Sequence, residues 1–187
     1  TEVLTPEQEI AALLGREPSE VARFAARLLR HSGTYAVLCP GCGSGECSAY
    51  LARQGFRVTA YDSPASTPAR VARTAQLLNV SVECFSDDII MPRRQLRGFD
   101  AIFSHNALHQ MRPTPRRTLL RSFHRMLRPG GILVISVLSM EDERYGYGRQ
   151  LEEDTFDPGT GEGLHFYSAP ELHEELGQYF EISQIEE

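Results

Sequence analysis

The chain has 187 residues, of which 41% are hydrophobic and 24% are charged, and this balance is typical of one globular domain. Its formal net charge of −6 argues against a broad phosphate-binding surface, so nucleic acid is not an expected partner. No apolar run approaches the roughly 20 residues of a membrane span. The first residues lack the basic and apolar regions of a signal peptide, which favours a cytoplasmic protein.

Two amphipathic helices are predicted over residues 5–30, at the start of the chain. The first ends near Gly15, and Ser19 is a suitable N-cap for the second. The apolar face predicted for this second helix consists of Val21, Phe24, Ala25 and Leu28.

From Thr34 onward, short apolar runs alternate with amphipathic helical segments. The predicted strands are 35–39, 56–61, 80–85, 99–104, 132–138 and 180–185. The predicted helices are 44–53, 67–78, 113–127 and 170–176, with a turn at 129–131. Alternation of this kind is typical of βαβ units, so we expect a Rossmann-like three-layer α/β sandwich. Its sheet should be mostly parallel with helices on both faces, and its C-terminal strand antiparallel.

One domain is expected to cover residues 1–187. It divides into N-terminal helices (1–33), a cofactor-binding core (34–138), a lid (139–167), and a C-terminal helix and strand (168–187). The lid is predicted because this stretch is long, polar and rich in glycine, and because it follows the fifth strand on the ligand side of the sheet.

Four cysteines stand at positions 39, 42, 47 and 84, and the first two have the C-x-x-C spacing of redox and zinc motifs. No second pair of zinc ligands follows at a suitable spacing. Gly41, Gly43 and Gly45 interleave the cysteines, and glycines fit a ligand-binding loop better than a redox motif. We therefore expect no metal site here.

A glycine-rich loop, Pro40-Gly41-Cys42-Gly43-Ser44-Gly45, follows the first strand and opens a helix. Asp62 ends the second strand, where a carboxylate can accept both hydroxyls of a ribose. The dinucleotide fingerprint is G-x-G-x-x-G, but here the third glycine comes one residue early. The pattern therefore indicates a nucleoside-containing cofactor other than a dinucleotide.

The G-x-G-x-G spacing resembles motif I of class I S-adenosylmethionine-dependent methyltransferases. Similar matches are Ser86-Asp87-Asp88-Ile89, the segment from Phe99 to His109, and the segment from Leu127 to Ile135. The resemblance implies that Asp87 meets the adenine amino group of S-adenosylmethionine. The cofactor-binding residues that it implies as a whole are Pro40, Gly41, Cys42, Gly43, Gly45, Asp62, Ser63, Asp87, Asp88, Ile89 and Ser104.

The chain departs from the family pattern at two places. Cys39 stands where the family usually has an acid that braces the glycine loop. Cofactor affinity is then expected to be lower, unless the fixed φ of Pro40 holds the loop instead. The family also normally closes with a hairpin of two strands, and only 180–185 fits before Glu187.

The C-terminal third resembles small bacterial methyltransferases near the tellurite-resistance group, through Tyr147-Gly148-Arg149 and His165-Phe166-Tyr167. The resemblance implies a small-molecule acceptor. Tyr145, Tyr147, Arg149 and His165 are the candidate substrate-binding residues, although a solvated surface role for Arg149 stays open.

His105 and His109 are the candidate catalytic residues, because they follow the strand that faces the transferred methyl in this fold. Capping or packing remains an equal alternative for His109. The arginines between positions 93 and 121 are expected on solvated helix faces.

Methyl transfer to a small molecule is therefore the leading functional hypothesis, with a thiol, chalcogenide, hydroxyl or carboxylate as the acceptor. One alternative is an RNA or protein methyltransferase, but the D/N-P-P-Y pattern of amide- and base-methylating enzymes is replaced here by Ser104-His105-Asn106-Ala107. A second alternative, suggested by Cys39, is a cofactor-binding module without catalysis.

Overall fold

The structure is a computed structural model that describes residues 19–186. Its helices are α1 (Glu20–His31), α2 (Glu46–Arg53), α3 (Thr67–Leu77), α4 (Pro113–Met126) and α5 (Ala169–Leu176), with a 3₁₀ turn at Leu108–Gln110. Five strands come first: β1 (Ala36–Pro40), β2 (Arg57–Asp62), β3 (Glu83–Ser86), β4 (Phe99–His105) and β5 (Leu127–Ser136). Four short strands follow: β6 (Leu138–Ser139), β7 (Arg149–Glu152), β8 (Thr155–Asp157) and β9 (Leu164–Tyr167). The helix predicted to end near Gly15 lies outside the described residues.

The central sheet has the strand order β3-β2-β1-β4-β5, and all of its neighbouring strands are parallel. Strand β1 lies between β2 and β4, so the chain order reverses on the two sides of β1. In open α/β sheets, ligands bind outside the carboxyl ends of the strands at such a reversal. The predicted parallel sheet of a Rossmann-like fold is confirmed.

Both faces of this sheet are buried by helices. In β1, Val37 and Cys39 join a cluster with α1 and α2, whereas Leu38 joins a second cluster with α4 and α5. Successive residues of a strand point to opposite faces, so the two clusters lie on either side of the sheet. This burial explains why β1 reads as a continuous apolar run and not as an alternating one.

Helix α1 begins as predicted, since the Ser19 hydroxyl accepts a hydrogen bond from the Ala22 N–H at 3.2 Å. Its buried face, however, consists of three alanines, Ala22, Ala25 and Ala26, together with Leu29. Leu28 was predicted to be buried but is 36% exposed. That prediction followed side-chain size, whereas the alanines let the helix lie close to its neighbours.

Residues 138–167 form a second small sheet, where a Gly-rich loop was expected. Its strand order is β6-β9-β8-β7, with β6 parallel to β9 and the other pairs antiparallel. The strands of this segment therefore pair with one another and not with the central sheet.

Three element predictions were wrong in detail. Residues 180–186 form no strand; the N–H of Phe180 instead bonds back to the Leu176 carbonyl at the end of α5, and Phe180 and Ile182 pack on the core. The antiparallel C-terminal strand is thus absent from the described residues. The third strand starts at Glu83, because the Val80 N–H caps α3 through Ala75. Residues 129–131, predicted as a turn, lie within β5, where the register of its pairing with β4 shifts between Phe99 and Ala101.

Candidate functional site

The glycine loop lies at the carboxyl end of β1, and close packing accounts for two of its glycines. A Cβ atom on Gly41, whose φ is +68°, would lie 2.7 Å from Ile89 Cδ1. A Cβ atom on Gly45 would lie 2.8 Å from Val71 Cγ2, where α3 packs against the loop. A Cβ atom on Gly43 would have no atom within 4 Å of it. Gly43 lines a cavity of about 960 Å³, which is called the main cavity below. The loop therefore presents bare backbone to the cavity at Gly43.

Asp62, the last residue of β2, braces this loop. Its carboxylate accepts hydrogen bonds from the N–H of Gly43 at 2.9 Å and from the N–H of Ser63 at 2.8 Å. It also lines the main cavity. Cys39, which replaces the usual acid, is buried, and burial raises the pKa of its thiol to about 12. The brace expected at position 39 is thus supplied from the neighbouring strand.

Asp87 and Asp88 organise the loop that follows β3. The Asp87 carboxylate accepts hydrogen bonds from the N–H groups of Asp88, Arg93 and Arg94, at 2.9 to 3.2 Å. Asp88 accepts from the N–H groups of Ile90 and Met91. Burial acts to raise the pKa of Asp87, but the backbone N–H donors outweigh it and the pKa is lowered. From this loop, Ile89 reaches the cavity wall.

The remaining candidate cofactor residues surround the loop. Pro40 ends β1 beside Tyr61. The pKa of the half-buried Cys42 thiol is raised by its interaction with Cys84 and by burial. Ser104 is buried in β4, and its hydroxyl has no hydrogen-bond partner among the described residues. All four cysteines are free thiols, and within residues 19–186 no three metal-ligand side chains cluster as a metal site.

A cavity of about 960 Å³ connects the glycine loop to the second sheet. Gly41, Gly43 and Asp62 lie on one side, and Leu151, Thr155 and Gly163 lie on the other. Between them the wall is formed by the end of β4, the 3₁₀ turn and the start of α4, through His105, Asn106, Ala107, Gln110, Met111, Arg112, Pro113 and Arg116. A second cavity of about 490 Å³ shares Gly41, Gly43 and His105 with the first.

The two candidate catalytic histidines have different surroundings. His105 lines both cavities and is half-buried, and burial lowers its pKa. Its Nδ1 lies 2.6 Å from Ser136 Oγ, and its Nε2 lies 3.2 Å from Asn106 Nδ2. His109 is 4% exposed and lies outside the lining of both cavities. Burial first, and then the Arg144 charge, lower its pKa to about 4. His105 is therefore the histidine that can meet a ligand.

The four candidate substrate residues do not converge on the cavity. Tyr145 packs edge-on against Phe156 and donates its hydroxyl proton to Asp154 at 2.6 Å. Tyr147 is 69% exposed. Arg149 is also exposed and lies 3.7 Å from Asp157, whereas His165 is buried. Other residues of the same segment line the cavity instead: Leu151, Glu152, Thr155, Gly161, Glu162 and Gly163.

Arg116 is a functional candidate that the sequence reasoning missed, since it was assigned to a solvated helix face. It is 5% exposed and lines the cavity. Its Nε donates to Glu175 at 3.3 Å, and its guanidinium lies 5.2 Å from the Tyr167 ring centre. The signal was present in the helical spacing, because Arg116 shares one face of α4 with the buried Leu119 and Leu120.

The parallel sheet, the braced glycine loop and the strand-end acid together define a class I S-adenosylmethionine-dependent methyltransferase domain. A family model described as a methyltransferase domain matches residues 37–131, just over half of the chain, and the chain belongs to this family. Within the described residues, no helix combines the length and the apolarity that crossing a bilayer requires.

Two similar proteins support this assignment. A methyltransferase of Mycobacterium tuberculosis is 38% identical over 105 residues, which cover 55% of this chain and 50% of that protein. The chain thus spans about half the length of the curated relatives that it matches first. The solved 1,6-didemethyltoxoflavin-N1-methyltransferase of Burkholderia thailandensis, with bound 1,6-didemethyltoxoflavin and S-adenosylhomocysteine, is 27% identical with a TM-score of 0.65. The matched region covers 96% of this chain and 80% of the Burkholderia chain.

The fold is also shared with TehB of Haemophilus influenzae. The TM-score is 0.66 at 19% sequence identity, over 92% of this chain and 55% of TehB. This likeness concerns the fold alone.

Proposed function

We propose that this chain transfers a methyl group from S-adenosylmethionine to a small molecule, with both ligands bound in the 960 Å³ cavity. The observation that carries the proposal is the continuity of this cavity from Gly43 and Asp62 to Thr155 and Gly163. A volume near 1,000 Å³ lies at the upper end of ordinary ligand pockets.

The residues around the glycine loop fit the cofactor. Gly43 leaves open space beside its backbone, and the Asp62 carboxylate lies at the same wall, where it can accept hydrogen bonds from ribose hydroxyls. Gly41 and Ile89 form an apolar wall for the adenine ring. The bound cofactor supplies an activated methyl group on a sulfonium. Asp87 acts indirectly in this proposal, because its carboxylate already holds three backbone N–H groups.

A small acceptor is favoured by the second sheet. Leu151, Thr155 and Gly163 line the same cavity as the glycine loop, so an acceptor of small size would contact the second sheet while it lies beside the cofactor. The similar Burkholderia enzyme holds the small molecule 1,6-didemethyltoxoflavin. The net charge of −6 further disfavours RNA. Four free thiols fit a reducing compartment, so we place the protein in the cytoplasm.

Two measurements test this proposal. Calorimetry should show micromolar binding of S-adenosylhomocysteine and none of NAD. Radiolabelled S-adenosylmethionine should then label catechol, theophylline or thiophenol, and leave total tRNA and a basic peptide unlabelled. Binding of NAD without a response to S-adenosylhomocysteine would overturn the cofactor assignment. Binding of S-adenosylhomocysteine without turnover of any acceptor would favour a module that lacks catalysis.

A further inference from the structure

A closed set of hydrogen bonds lies where β4 and β5 end at the cavity. His105 and Ser136 are register partners at the last positions of the two strands. His105 Nδ1 lies 2.6 Å from Ser136 Oγ, Ser136 Oγ lies 3.2 Å from Asn106 Oδ1, and Asn106 Nδ2 lies 3.2 Å from His105 Nε2. The three side chains are therefore joined in a closed ring of hydrogen bonds that includes both nitrogens of the imidazole.

The donors and acceptors of this ring fix the tautomer of His105. Ser136 has one hydroxyl proton, which it donates to the carbonyl oxygen of the Asn106 side chain. Its oxygen accepts the backbone N–H of Asn106 at 3.2 Å and has one lone pair left for His105. With this orientation of the Asn106 amide, every bond of the ring is satisfied when the imidazole proton is on Nδ1 and the Nε2 lone pair receives the Asn106 amide proton.

We propose that Ser136 and Asn106 are positioning residues that hold His105 as the Nδ1–H tautomer. The methyl acceptor displaces the Asn106 amide from Nε2 when it binds, and Nε2 then takes the acceptor proton. This inference rests on the proposed function and narrows its acceptor class. The acceptor atom still carries a proton at neutral pH, as a hydroxyl or a ring N–H does, because a thiolate needs no base. The acceptor proton goes to Nε2, the acceptor electron pair forms the bond to the methyl carbon, and the pair of the broken carbon–sulfur bond stays on sulfur.

The surroundings of His105 keep it neutral. Burial lowers its pKa below the ordinary value, so the imidazole is unprotonated and able to act as a base at pH 7. His109, which is itself buried, lies close enough to interact with it. The charged residues that share the main cavity with His105 are Asp62, Arg112, Arg116, Glu152 and Glu162.

The tautomer can be measured without any acceptor. The probe is ¹⁵N-histidine-labelled protein at pH 7.5, free and with S-adenosylhomocysteine, and the resonances of His105 are identified by their loss in His105→Gln. We expect Nδ1 to resonate as a protonated nitrogen and Nε2 as an unprotonated one. The opposite pattern would overturn the proposal. Ser136→Ala should convert this single tautomer into a mixture, and Ser136→Thr should restore it.

Two further variants sharpen this test. Asn106→Gly removes the amide while keeping a residue that tolerates the φ of 57°, and it should also give a mixture of tautomers. Ser122→Ala is the matched control, because the Ser122 hydroxyl bonds only to the carbonyls of Thr118, on α4, and of Ile90, in the loop after β3. A full loss of the tautomer preference in Ser122→Ala would contradict a local ring.

Turnover provides the functional readout. For catechol, whose hydroxyls carry protons, His105→Gln should lower kcat by about 100-fold or more, whereas thiophenol should lose less than about threefold. Ser136→Ala should lower kcat for catechol about tenfold with little change in KM, and should move the acidic limb of the pH profile to lower pH, since the imidazolium loses a charge-assisted hydrogen bond. Equal losses for both acceptors would overturn the proton-acceptor role.

These outcomes distinguish a failure of the proposed His105 tautomer from a failure of the proposed methyltransferase function. If no acceptor is methylated while the Nδ1–H tautomer is found, the methyltransferase activity fails and the positioning ring stands. If catechol is methylated while His105 is the Nε2–H tautomer, the activity stands and the inference fails.

Discussion

The two sheets of this protein contribute to the site in different ways. The five-stranded sheet is buried by helices on both faces, and the glycine loop and Asp62 follow directly from its strand ends. The four-stranded sheet is made of strands of two to four residues, and β7 is exposed along its whole length. The first sheet therefore fixes the glycine-loop side of the cavity by packing, whereas the second sheet contributes a wall of short strands.

Arg116 links the two regions, and its loss should give the largest effect. It bonds to Glu175 and lies 3.9 Å from Glu171, both on the helix that follows the second sheet. Arg116→Ala leaves these carboxylates without their cation, so the free energy of unfolding should fall by about 3–5 kcal/mol. Chemical denaturation measures this change. Arg117→Ala, at the exposed neighbouring position, should change it by less than about 0.5 kcal/mol. Equal effects of the two variants would show that Arg116 does not join the regions.

Gly41→Val tests the packing of the cofactor end. The new Cβ would lie 2.7 Å from Ile89 Cδ1, and the branched residue would also be strained at a φ of +68°. We expect the affinity for S-adenosylhomocysteine to fall by about 100-fold or more, equivalent to about 2.7 kcal/mol. Gly33→Ala is the control, since its φ is +69° and its Cβ meets nothing within 4 Å. It should lower stability by about 1–2 kcal/mol and leave the affinity unchanged.

Asp62→Ala should weaken S-adenosylhomocysteine binding by about 1.5–3 kcal/mol, because both the brace on Gly43 and the charged acceptor for ribose hydroxyls are lost. Calorimetry at constant pH measures the difference. A normal affinity in this variant would remove Asp62 from the cofactor site, and with it the reason for placing ribose at the end of β2.

Asp87 should behave differently from Asp62, through stability and pH. Its lowered pKa means that its contribution to the free energy of unfolding is fully present above about pH 4, the ordinary value for Asp, and is lost as the pH falls through the folded pKa. Asp87→Asn should therefore lower the melting temperature at pH 7 and flatten its decline on acidification. A parallel decline in both proteins would mean that the carboxylate charge does not stabilise the loop.

The sequence was a good guide to one sheet and a poor guide to the other, for physical reasons. Strand β1 is apolar over its five residues, and the glycines of the loop that follows it are required locally by close contacts such as Gly41 with Ile89. The strands of the second sheet are two to four residues long, and β7 is polar and exposed, so Arg149–Glu152 reads as loop. Its role depends on distant pairing, as between Phe156 and Leu164. The burial of Arg116 likewise depends on Glu175, 59 positions away, although its helical face was visible in the sequence.

We propose that cofactor and acceptor share one cavity between the two sheets. Hydrogen exchange of the backbone amides tests this proposal most directly. The amides of residues 41–45 and of 149–163 are compared in free protein and in protein saturated with S-adenosylhomocysteine, alone and with catechol. We expect slower exchange in the glycine loop with S-adenosylhomocysteine alone, and added protection of 149–163 when catechol is present. Protection of the glycine loop with unchanged exchange over 149–163 under both conditions would contradict a shared cavity.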